Sequence, residues 1–160
     1  MASNTAAVMQ SFRKELLNAS HAFGVPSTGS TRTAARDTMA IALYRNSSGI
    51  GAATTAYATT GEVTSSGYTA GGATCATTDP TTSTNTGYWT PGASISWTNV
   101  TMTGTNATDL AMLYNSSSTG KLAIATFALG VIDTGQAPSL GTFTLTMPTN
   151  NDTLALIRIT

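Results

Sequence analysis

From residue 38 onward the chain breaks into apolar segments of five to ten residues, divided by Gly, Asn, Pro and Ser clusters. This segmentation limits the fold more than any other feature. In GTFTLTMP, Phe143, Leu145 and Met147 alternate with Thr142, Thr144 and Thr146. That is the period of a strand with one face toward a core and a hydroxyl face toward water. TMAIALYR, VTSSGYTA, ATCATT, SISWTNVTMT, DLAMLYNS, KLAIATFALG and LALIRIT supply further candidates. About seven or eight antiparallel strands at this spacing predict a mainly β chain, a β-sandwich or jelly-roll-like domain over residues 38–160. NSSSTGK reads as a hairpin loop, and DPTTSTNTGYWTPG as a long surface loop with Tyr88 and Trp89 near its tip. LALIRIT has apolar residues on both alternations, so the last strand is expected to be covered on both faces.

Composition agrees. Only 9% of residues are charged, against about 25% in ordinary globular chains. Thr and Ser supply most of the polarity, and Thr is stiff at its first torsion and well suited to a pleated, half-exposed surface. At 160 residues the chain can bury a core without covalent staples.

The first segment has another period. In TAAVMQSFRKELLNASHAFG, Val8, Phe12, Leu16, Ala19 and Phe23 recur at steps of three and four, one face of an α-helix. The pattern predicts one helix from about residue 4 to 22, capped by Ser3 or Asn4 and ended by Gly24 and Pro26. VPSTGSTRTAAR follows as a polar connector, so residues 1–37 form a helix and connector ahead of the β domain. The stripe of Phe12, Leu16 and Phe23, with Arg13 beside it, either covers the domain's own apolar face or docks on a partner.

GEVTSSGYTAGG, residues 61–72, carries four glycines. A phosphate-cradling loop needs Lys and Ser or Thr directly after its glycines and a helix to follow. This stretch has no Lys and runs into the strand-like ATCATT, so its glycines are expected to serve a strand–turn–strand piece. His21 is the one histidine and is expected to be structural, satisfying carbonyls at the helix end. The acids Glu15, Asp37, Glu62, Asp79, Asp109, Asp133 and Asp152 show no pair spacing for acid–base work and no calcium-loop spacing. The single Cys75 offers neither an internal disulfide nor a metal site. The expectation is no enzyme, no cofactor and no metal. Tyr57, Tyr68, Tyr88 and Trp89 lie in loop-like segments, where aromatics either stack on sugars or pack under their own loops and at subunit contacts.

Formal net charge is zero, which argues against direct nucleic-acid binding. Five of the seven basic residues fall within the first 45 positions. No apolar run approaches a membrane span, and the N-terminus lacks a signal peptide's apolar core. The chain is therefore expected to stay in a cytoplasm or to assemble there into something larger, and its N-x-[ST] sequons carry no weight.

QSFRKELLNASHAFG followed by DTMAIALYRNSSGIGAATTAYATTGEVTSSGYTAGG resembles a family of small tailed-bacteriophage virion proteins. The resemblance rests on Ser11 through Leu17 with His21 and Phe23, on Ala42-Leu43-Tyr44, on Thr54 through Tyr57, on Glu62-Val63, and on Gly67 through Gly72. ISWTNVTM, DLAMLYNSSSTGKLAIATFALG and FTLTMPTNNDTLALIRI extend it over nearly the whole chain. It implies a component of the phage particle, assembled in the host cytoplasm, with a capsid decoration (cement) protein as the leading expectation. Its partners would be the major capsid protein or other virion proteins, with self-association on the particle. The expected contacts are Phe12, Arg13, Leu16, Phe23, Tyr57, Tyr68, Tyr88 and Trp89. A tail, head–tail junction or fibre component is the alternative, and a host-surface glycan-binding module using Tyr88 and Trp89 is the second.

Overall fold

The computed structural model describes residues 4–26, 35–130 and 135–160; residues 27–34 of the expected connector lie outside the described residues. The fold is mainly β, with one short α-helix and one 3-10 turn (Gly104–Asn106) among the described residues. The described elements are β1 (Ala7–Val8), α1 (Gln10–Leu17), β2 (Met39–Arg45), β3 (Ala73–Thr74), β4 (Thr81–Ser83), β5 (Thr86–Trp89), β6 (Ile95–Val100), β7 (Thr108–Asn115), β8 (Ala123–Ala128), β9 (Gly141–Leu145) and β10 (Ile157–Ile159). They pair antiparallel in three sheets, ordered β1-β8-β7-β2-β3, β10-β5-β4 and β6-β9.

β2 and β7 form the centre. Ile41 stands opposite Leu113, Leu43 opposite Ala111, and Tyr44 opposite Leu110. Every residue of β7 is buried, as are all of β2 except Arg45. A strand buried on both faces needs apolar residues on both alternations, which MAIALYR and DLAMLYN provide. The β6–β9 ribbon keeps the one-sided pattern. Trp97 faces Phe143 and Ile95 faces Leu145, while exposed Ser96 bonds exposed Thr144 at 2.8 Å. The hairpin expected at NSSSTGK joins β7 to β8.

Both edges of the main sheet are blunted by short segments from elsewhere, which removes the template that an open edge offers. Along β8, Ala7 and Val8 pair with Thr126 and Ala125. Thr55 and Tyr57 continue the row, with Ala123 N–H on Thr55 O at 3.0 Å and Tyr57 N–H on Lys121 O at 2.9 Å. Along β2, β3 pairs at one end, and Val63 N–H reaches Leu43 O at 3.0 Å at the other.

Those edge contacts correct the expected helix of residues 4–22. Ala7 and Val8 are drawn into the sheet, and Asn4 is no cap. Its amide donates to Asp109 Oδ1 at 2.6 Å and to Arg45 O at 2.9 Å. The helix ends well before Gly24. Ser20 N–H bonds Glu15 O at 2.8 Å and Ala19 N–H bonds Leu16 O at 3.1 Å, with Ala19 at φ 54°. This is a Schellman stop with alanine in the left-handed position. It turns His21–Phe23 back toward the sheet. Met9 and Phe12 then enter the same core as β2, β7 and β8.

Three other expectations change. Residues 63–70 form turns, with no strand. The long loop at DPTTSTNTGYWTPG is replaced by the β4–β5 hairpin, with Tyr88 and Trp89 on a strand. In LALIRIT only Ile157–Ile159 are extended, and they are not covered on both faces: Ile157 is buried, but Ile159 on its own face is 57% exposed and Arg158 on the other face is exposed too.

Candidate functional site

The glycine-rich stretch is fastened by its own acid. Glu62 is 3% exposed and has three donors. Tyr57 Oη donates to Oε2 at 2.7 Å; Tyr68 Oη and the Gly71 N–H donate to Oε1, each at 2.7 Å. Tyr114 stacks on Tyr57 with centroids 4.7 Å apart and donates its hydroxyl to Gly71 O at 2.7 Å. A buried carboxylate is tolerable only with such full hydrogen bonding. Burial, and then the neighbouring Glu62 charge, push the Tyr57 and Tyr68 phenols well above their ordinary range. Gly67 and Gly72 have φ of +76° and +70° and press on the backbone of Thr98 and Ile41, where a Cβ would collide with a carbonyl oxygen. The stretch is an anchor for the β2 edge.

His21 belongs to a second anchor. Asn115 Oδ1 accepts from Ser117 and Ser118 N–H at 3.2 and 3.0 Å, which fixes its amide orientation. Its Nδ2 donates to Asp37 Oδ2 at 2.7 Å and lies 3.3 Å from His21 Nδ1. His21 Nδ1 is therefore the acceptor, and Nε2–H donates to Glu15 Oε2 at 2.9 Å. The role is structural, as expected, but the partners are Glu15 and Asn115, not carbonyls at the helix end. Phe12 packs edge-on to His21 and to Phe23, and Phe23 edge-on to Trp89.

The open surface lies on both flanks of β10. On one flank a groove of about 240 Å³ is walled by Phe23, Pro80, Tyr88, Trp89, Ile157 and Ile159. Gly87, opposite Ile159, leaves it open, because a Cβ there would meet nothing within 4 Å. On the other flank a larger groove, about 540 Å³, runs between β10 and α1. Its apolar lining is Val8, Phe12, Leu16, Leu17, Ile157 and Ile159, with Arg13 and Arg158 as its charged members. Leu17 is 89% exposed and Val8 42%. An exposed apolar strip at a groove, with cations at its side, is the kind of surface that contacts with a partner use.

Six of the eight residues expected to make contacts thus line these grooves: Phe12, Arg13 and Leu16 in one, Phe23, Tyr88 and Trp89 in the other. Tyr57 and Tyr68 do not; they hold Glu62. Phe12 and Trp89 are themselves nearly inaccessible, at 2% and 3%, and Trp89 also donates its indole N–H to Thr78 O at 3.1 Å. They shape the floor while Leu17, Val8 and Ile159 form the rim. The sequence reading missed Leu17, Arg158 and Ile159. The available signal was two adjacent leucines, Leu16 and Leu17, that one helix face cannot both bury.

Cys75 is buried, and burial pushes its thiol up to about 12. Among the described residues no three His, Cys, Asp or Glu side chains are grouped to hold a metal ion, and no helix is long and apolar enough to cross a membrane. Comparison with protein-family models, curated proteins and solved structures found no match.

Proposed function

We propose that this chain is a bacteriophage virion structural protein acting as a capsid decoration protein, with the α1–β10 face as its contact with the major capsid protein lattice. The observation that carries the choice of face is the exposed strip of Val8, Leu17 and Ile159 along the larger groove. The resemblance of the sequence to phage virion proteins supplies the setting. Burying each exposed aliphatic side chain is worth about 1.5–3 kcal/mol at most. A contact of that size is weak alone and effective when repeated over a lattice. Preferential binding to the assembled, expanded shell would stabilise that state by mass action. A tail, head–tail junction or fibre position is the second reading and uses the same face. The glycan alternative has less support, because Trp89 offers almost no ring surface to a sugar.

The test is co-sedimentation with mature capsids and with unexpanded procapsids of the phage that encodes the chain. Saturable binding to mature capsids alone is expected. Leu17→Asp should abolish it with the domain still folded, while Leu140→Asp, an exposed leucine outside both grooves, should not. Indifference to capsids removes the decoration reading, and binding that ignores Leu17→Asp removes this face. Copy number in purified virions separates decoration, in the hundreds, from a junction position of about a dozen, as shell and ring symmetries require.

A further inference from the structure

β10 has a strand neighbour on one side only. It pairs with β5 through Ile157–Trp89, Arg158–Tyr88 and Ile159–Gly87, and among the described residues no strand lies on its far side. That far side opens into the larger groove, which β10 lines with Ile157, Arg158 and Ile159. In the β4–β5 hairpin Ser83 pairs with Thr86 across a two-residue turn, so the backbone groups of Gly87 and Trp89 face β10 and bond to Ile159 and Ile157. Because these groups alternate along an antiparallel strand, the N–H and C=O of Arg158 point outward into the groove. Nothing blunts this edge by a proline or a bulge, the devices that protect both sides of many sheets.

We propose that the free edge of β10 takes an extended segment of a partner protein, in which apolar and acidic residues alternate, as an added strand of the β10-β5-β4 sheet. The proposal rests on reading the α1–β10 face as a docking surface and names what docks there. Alternation follows from the period of two: Ile157 and Ile159 share one face of β10 and Arg158 takes the other. An incoming strand therefore sets apolar side chains beside the isoleucines and against Val8, Leu16 and Leu17, and its remaining side chains beside Arg158. Acidity follows from charge. Glu15 is engaged by the His21 N–H and Asp79 by Arg36, and neither Arg13 nor Arg158 has a carboxylate within salt-bridge distance among the described residues. A second copy adding its own β10 about a two-fold axis centred on Arg158 would place two guanidinium groups opposite each other, which is unfavourable. Strand addition draws affinity from main-chain hydrogen bonds and specificity from alternate side chains.

The experiment titrates the isotope-labelled full chain with a seven-residue peptide of alternating valine and glutamate, followed by amide shifts and hydrogen exchange. Shifts centred on Arg158, with slowed exchange at its amide, are expected. The peptide with lysine for glutamate should bind at least ten-fold more weakly. Arg158→Glu, at an exposed position, should reverse that order. N-methylation of alternate peptide amides should remove binding, since those amides supply the new ladder. No response at β10, equal binding of the lysine peptide, or full binding of the N-methylated peptide each overturns the proposal. Peptide addition to β10 without any capsid binding would sink the capsid reading and leave the strand proposal standing. Capsid binding that depends on Leu17 with no peptide response does the reverse.

Discussion

Tyr68 gives its phenolic hydrogen to Glu62 at 2.7 Å and, with the same oxygen, receives the Leu43 N–H at 2.9 Å. One hydroxyl thus ties the glycine-rich stretch to the edge of the central strand. Tyr68→Phe removes both bonds and strands a buried amide and part of a buried carboxylate. Hydrogen bonds to charged groups are worth about 1.5–3 kcal/mol, and an unsatisfied buried group costs a similar amount. Tyr68→Phe should therefore lower unfolding free energy by about 2–4 kcal/mol, read as a shift of the urea midpoint with unchanged slope. Glu62→Ala, which strands Tyr57 and Gly71 as well, should cost more. A loss below about 0.5 kcal/mol, the range of ordinary surface substitutions, would show that this network does not hold the stretch.

Gly72→Ala isolates the steric part of the same anchor. The alanine would need φ +70° and would set its Cβ on the Ile41 carbonyl. Gly104 has φ +60° with nothing within 4 Å of a Cβ, so Gly104→Ala carries only the left-handed penalty of about 1–2 kcal/mol. The Gly72 variant should lose at least about 2 kcal/mol more than the Gly104 variant in parallel thermal and urea melts. Equal losses would mean that the β2 edge yields to admit the methyl group.

Alkali should unfold the domain cooperatively. Burial raises the phenols of Tyr44, Tyr57, Tyr68 and Tyr114 and takes the Cys75 thiol to about 12. Groups whose folded pKa is raised keep protons that the unfolded chain has released, so the unfolded state binds fewer protons and stability falls with pH. The stabilisation is complete below the unfolded values, roughly 8.5 for Cys and 10 for Tyr, and declines above them. Phenolate absorbance of these tyrosines should appear together with loss of near-ultraviolet circular dichroism, and Cys75 should resist thiol reagents until then. Phenolate formation by Tyr57 or Tyr68 in a protein still folded at about pH 10 would contradict the packing around Glu62.

The parts of the fold that were legible in the sequence are those set by local pattern. Thr142, Thr144 and Phe143 point where strict alternation sends them, and DLAMLYN reads as a strand. The helix limits were not legible, because what shortens the helix is non-local: Asp109 takes Asn4, and β8 takes Ala7 and Val8. TGYW was hidden as a strand by its polar, proline-flanked surroundings, and it is held by Ile157 and Arg158 from the far end of the sequence. Tyr57 and Tyr68 stood out as aromatics, but nothing in their spacing shows that both aim at one carboxylate. The groove was half visible. Its floor follows from the helical stripe, whereas its rim arises where α1 meets β10, two elements that are remote in sequence.

The pairing of Ala7 with Thr126 has a consequence in time. Its two partners lie 119 positions apart, so the earlier-made segment joins the sheet only once β8 has been made. Until β8 has emerged, Ala7, Val8, Met9 and Phe12 have no place to settle. Such long-range closure slows folding, toward the millisecond-to-second range of other non-local β topologies. It also leaves a nascent chain with uncovered apolar residues and an unfinished sheet. Overproduction should therefore be governed less by the stability of the finished domain than by how well Ala7, Val8, Met9 and Phe12 are kept apart while β8 is being made.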